Sequence, residues 1–144
     1  MLFGYIYNHF RPGHLGIDNS KEVTHPIMNI SIAKEVFEKF PTYRRGLIIA
    51  HGIQNGPSPD ELIAHIREAE TALCASLDSE KFVEHPKIAA WREAYRSVGI
   101  KPGDYRPSVD ALIRRVLKKD PLPAINRIVD IGNLVSIQNL CSTI

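Results

Sequence analysis

The sequence is poor in the residues that would settle its chemistry at once. It holds two cysteines, Cys74 and Cys141, far apart in the chain. Neither a disulfide framework nor a cysteine-based zinc site can be built from such a pair, and this usage fits a reducing, cytoplasmic setting. No apolar run approaches the roughly 20 residues of a membrane span, so no membrane partner is expected. The apolar start at residues 1–7 meets Asn8, His9 and Arg11 too soon for a secretory leader. The histidines, His9, His14, His25, His51, His65 and His85, show no metal-ligand spacing. Serine nucleophile elbows, phosphate-binding glycine loops and paired-carboxylate motifs are also absent. The expectation is therefore no metal and no cofactor. A net charge of +2 is too small to name a partner by itself.

What is present reads as one globular domain. The chain has 144 residues, 44% of them apolar and 24% charged, which is an ordinary composition for a packed core. Residues 1–27, punctuated by Pro12, Gly13, Gly16 and Pro26, read as an irregular lead-in. Met28, Ile30 and Ile32 alternate as in a short strand, and Ile32, Val36, Phe37 and Phe40 share a helical face that Pro41 ends. The apolar run 46–53, bounded by Gly46 and Gly52, predicts a buried strand with His51 near its end. Ser58 stands at a capping position, with Pro59 after it and Glu61 at capping-box spacing. Leu62, Ile66, Ala69 and Leu73 then form an apolar stripe reaching about Leu77.

Pro86 opens a second such helix with Ile88, Trp91, Tyr95 and Val98 on one face and Gly99 as its C-terminal cap. A turn at 101–104 follows. Ser108 is placed to cap a helix whose Leu112, Ile113, Val116 and Leu117 point inward. Pro121 and Pro123 break it, and a last helix is predicted over 124–138. The fold class this implies is mixed α/β (α+β): a short central sheet with helices, and a helix-rich C-terminal half.

Two constellations could carry chemistry. In the last helix Asn126, Asp130 and Asn133 share one face among branched aliphatics, which predicts burial nearly all round. Such polar groups need partners. They either line a pocket or tie down loops and helix ends, with Asp130 paired to an arginine such as Arg114 or Arg96. The second constellation is basic. Arg92, Arg96, Arg106, Arg114, Arg115, Lys118, Lys119 and Arg127 crowd the second half, interleaved with Trp91, Tyr95 and Tyr105. That pattern suits either phosphate contact or a solvated helix face.

Residues 88–96, then Gly99-Ile100-Lys101-Pro102, then 108–116, then Leu122-Pro123-Ala124-Ile125-Asn126 and 129–136 together resemble the B3/B4 domain. This is the editing module of the bacterial phenylalanyl-tRNA synthetase beta subunit, which also occurs as free-standing proteins. The resemblance spans 28–144 and is densest over 88–136. It implies a mixed α/β domain and a tRNA or aminoacyl-tRNA partner. The activity implied is hydrolysis of a misacylated tRNA ester by water, acting in trans and without a metal. Asn126, Asp130 and Asn133 match the family's Asn-x-x-x-Asp-x-x-Asn pattern as pocket-lining, catalytic candidates. Arg114 and Arg115 match its arginine pair, and with Arg92, Arg96 and Lys118 they form the RNA-binding expectation. The family domain continues with further strands beyond 129–136, so the chain reads as a C-terminally shortened, free-standing form. The alternatives are a non-catalytic RNA or amino-acid binding module, or a structural domain that self-associates as a homodimer.

Overall fold

The computed structural model describes residues 30–50 and 52–143. The lead-in assigned to 1–27, Met28 and His51 lie outside the described residues. The chain divides into two compact units, Met1–Ala50 and His51–Ile144.

In the first unit the only described helix is α1, Lys34–Lys39, and it buries no residue. Val36 and Phe40 of the expected apolar face are half-buried, while Phe37 is exposed and meets Tyr43 edge to face at 6.2 Å between ring centroids. The second unit holds α2 (Asp60–Ser76), a 3-10 turn (Phe82–Glu84), α3 (Pro86–Ser97), α4 (Ser108–Leu117) and α5 (Arg127–Asn139).

The mixed α/β expectation with a central sheet is overturned. Every regular element among the described residues is helical. The run 46–53 forms no strand in its described residues, and Leu47, Ile48, Ile49 and Ile53 are exposed, Ile48 to 94%. Ile30–Ile32 forms none either. An extended segment becomes a strand only when a partner takes up its N–H and C=O groups. No such partner stands among the described residues.

Periodic apolar spacing explains the core of the second unit. Ile66, Ala69 and Leu73 of α2 are buried, with Leu62 half-buried beside them. Ile88 of α3 is buried, as are Val109, Ile113 and Val116 of α4, and Phe82 and Leu122 close the cluster. α5 packs most extensively on α2, and both pack on α4.

The helix ends show local chemistry. Pro86 takes the first position of α3, and the His85 ring Nδ1 accepts from the Lys87 amide at 3.3 Å. At its other end Gly99 has φ +80°, its amide bonds the Arg96 carbonyl, and the Ile100 amide returns to Tyr95 at 3.0 Å. That double bond pattern requires a left-handed residue at Gly99. α4 ends in the same way, but on Lys119 with φ 62°.

Two expected caps are not made. Pro59 and Pro107 occupy the cap positions of α2 and α4 with no side-chain bond. The hydroxyls of Ser58 and Ser108 are drawn to tertiary partners instead: Ser58 to Asp130, Ser108 to Ser142 and the Thr143 carbonyl.

Candidate functional site

α5 is the reverse of the expected helix buried all round. Its buried residues are Asp130, Ser136 and Ile137, with Asn133 and Leu134 half-buried. Ile128, Ile131 and Val135, three and four apart on the opposite side, are exposed by 39–49%. It also begins at Arg127, later than residue 124, because Asn126 is its cap.

Asn126 has extended backbone, φ −165° and ψ 163°, and its side-chain oxygen accepts from the Val129 amide at 3.1 Å. The same oxygen accepts from the Asn55 side-chain amide at 3.0 Å. Asn55 in turn accepts from the Gly56 and Ile128 amides, and the Arg127 amide donates to the Gly56 carbonyl at 2.9 Å. The first three amides of α5 therefore each have a protein acceptor. A helix start is an anion site only while those donors are open, and here they are taken.

Asp130 is fully buried. Its carboxylate accepts from the Ser58 hydroxyl at 2.5 Å and from the Ile125 amide at 3.1 Å. No arginine reaches it among the described residues: Arg114 is with Asp110 and Arg96 with Glu93. The Asn133 side chain makes no hydrogen bond among the described residues. The structure thus brings Asn126 and Asp130 into one knot that ties the 55–58 loop to the start of α5, and leaves Asn133 beside it.

A second cluster joins α3 to α4. Asp110, fully buried, accepts from Arg92 Nη1 at 2.5 Å and from Arg114 Nη2 at 3.4 Å. The Arg114 guanidinium lies 4.9 Å over the Phe82 ring, and its Nε is buried without a hydrogen-bond acceptor. A ring face receives such a cation through its quadrupole.

The other predicted RNA-binding residues stand apart at the surface. Arg96 pairs with Glu93 at 3.2 Å, and Arg115 with Asp120 at 3.0 Å and the Pro121 carbonyl. Lys118 is exposed at the end of α4.

Sequence reasoning missed Ser58, Asn55 and Asp110 as partners. Only Asp110 carried a local signal, its spacing of four from Arg114. It also missed Glu70, a nearly buried carboxylate that accepts from the Leu122 amide at 2.7 Å and from Arg67. This holds the Pro-Leu-Pro break against α2.

Charge is segregated along the second unit. Residues 51–87 carry three Lys or Arg against seven Asp or Glu, while 88–136 carry nine against five. Two of those five, Asp110 and Asp130, are buried. Asp110 lies on α4, paired with Arg92 and Arg114, while Asp130 belongs to the start of α5.

Cys141 is half-buried, and burial raises its thiol above the ordinary range, with the charge of Lys87 opposing. Among the described residues no cluster of three or more His, Cys, Asp or Glu is placed to hold a metal ion, and no helix is long and apolar enough to cross a membrane. The chain matches no family model, no curated protein and no solved structure.

Proposed function

We propose that the chain is an RNA-binding domain of the tRNA-associated kind it resembles, working in the cytoplasm. It takes tRNA or aminoacyl-tRNA on the basic surface of α3 and α4. The observation that supports this reading best is the excess of Lys and Arg over Asp and Glu in 88–136, nine against five, with Arg96, Arg115, Lys118 and Lys119 exposed on α3, α4 and the end of α4. A surface with this excess of cations releases counterions when it meets phosphates. The motifs over 88–136 supply the choice of tRNA.

Binding takes precedence over hydrolysis because Asn126 and Asp130 are engaged in the loop knot. An editing reaction needs donors left open for the developing oxyanion and a held water.

The test is anisotropy of labelled tRNA against protein over a salt series. Affinity is expected to fall linearly with the logarithm of salt, and Arg115→Ala and Lys118→Ala each to flatten the slope by about one. Absence of binding at low salt rejects the reading. Incubation with Tyr-tRNA(Phe) and a panel of other mischarged tRNAs tests hydrolysis in the same preparation.

A second reading, a self-associating homodimer, draws on the outward apolar face Ile128, Ile131 and Val135. Sedimentation that shows a concentration-dependent mass, abolished by Ile131→Glu, would favour it.

A further inference from the structure

Asp110 receives one arginine on each carboxylate oxygen. One negative charge balances one guanidinium, so the cluster keeps an unbalanced positive charge. Neither arginine is sealed away, since the side chains of Arg92 and Arg114 are 18% and 35% exposed. A guanidinium offers five N–H donors in a rigid fork. Among the described residues one terminal nitrogen of Arg92 and one of Arg114 has a protein acceptor, and Arg114 Nε is buried over Phe82, so the other terminal nitrogen of each guanidinium is left to meet a ligand. Arg92 is anchored by its ion pair with a buried carboxylate, and Arg114 by Asp110 and the Phe82 ring beneath it.

We propose that Arg92 and Arg114 form a receptor for a single phosphate group, with Asp110 and Phe82 as positioning residues. Two preoriented forks suit a phosphate, whose several oxygens accept from both at once. Part-burial lowers the screening around the surplus charge and strengthens the contact relative to the solvated heads of Arg115 and Lys118. The inference deepens the RNA-binding reading and rests on it for the source of the phosphate, a backbone group of the RNA. Free inorganic phosphate shares the chemistry and serves as the probe.

The experiment uses the full chain labelled with nitrogen-15. Sodium phosphate is titrated against sodium chloride of equal ionic strength, and the arginine Nε–Hε signals are followed. Saturable shifts at Arg92 and Arg114, with Arg115 unmoved, are expected with phosphate and not with chloride. Equal shifts with both salts, or none, overturn the proposal. Arg92→Lys and Arg114→Lys keep the charge and remove the fork, and each is expected to weaken phosphate binding by about tenfold or more. Circular dichroism checks that each variant is folded. If one is not, the wild-type signals alone decide. The RNA arm separates the two readings. Phosphate binding without any tRNA binding upholds the receptor and rejects the RNA source. Binding of tRNA that Arg92→Lys and Arg114→Lys both leave at wild-type strength overturns the receptor and leaves the RNA-binding reading standing.

Discussion

Asp110 and Asp130 are both fully buried carboxylates, and they are balanced in opposite ways. Asp130 is held by neutral donors, a serine hydroxyl and a backbone amide, supplied by the loops that it anchors. Asp110 is held by two arginines whose side chains are part-exposed. A carboxylate satisfied by neutral dipoles has its capacity turned inward, and its geometry serves the fold. One that gathers two cations organises charge it cannot itself neutralise, and what it organises faces outward. The difference moves attention from the start of α5, where the Asn-x-x-x-Asp-x-x-Asn spacing first draws it, to the α3–α4 junction.

Removing each carboxylate should expose that difference. Asp110→Ala strands two partly buried guanidiniums beside one another, and losing one side of a buried ion cluster typically costs about 3–5 kcal/mol. Urea melts should show that loss, and a variant within 1 kcal/mol of the wild type would break the comparison. Asp130→Ala strands only neutral donors, so a smaller loss of about 2–3 kcal/mol is expected. Ser58→Ala should cost about 1 kcal/mol alone and little more once Asp130 is already Ala, because the two share one bond. Additive losses in that double-mutant cycle would show that Ser58 acts elsewhere.

Asn126→Ala comes next in size. It removes the cap on Val129 and the bond from Asn55, for an expected loss of about 1–2 kcal/mol. Thermal melts give the stability, and tRNA anisotropy below the melt gives the function. A capping role predicts unchanged affinity in the folded variant. A fall in affinity without a fall in stability would return Asn126 to the site.

The parts legible in the sequence were those whose signal is periodic and local. Ile66, Leu73, Ile88 and Ile113 lie where a 3.6-residue stripe puts them, and Gly99 caps α3 because a left-handed residue has to stand there. The run 46–53 has no period, and a continuous apolar stretch cannot distinguish a buried strand from an exposed segment. α5 misled for a related reason: branched aliphatics on both sides of the polar stripe hid which side faces α2. The hydroxyl of Ser58 finds its acceptor 72 residues away, and no local capping pattern encodes that competition. The motif residues Asn126 and Asp130 were visible as a pair on one face. Their partners were not, and the partners decide that the pair ties a loop.

The smallest effect sharpens the comparison with a third titratable group. Burial raises the thiol of Cys141, and the charge of Lys87, whose ammonium donates to the Asn139 carbonyl at 2.8 Å, opposes that rise. Here a cation stands near a half-buried acid without a contact strong enough to outweigh desolvation, unlike the direct bonds at Asp110. Because the folded value is raised, the fold favours the neutral thiol. That preference costs nothing below the unfolded thiol value of roughly 8.5 and is felt as pH rises through it toward the folded value. Stability of the wild type should therefore fall between pH 8 and 10 slightly more than that of Cys141→Ser, by well under 1 kcal/mol, in paired urea melts. Lys87→Met should enlarge the gap, since it removes the opposing charge, and an unchanged gap would mean that the ammonium does not act on the thiol.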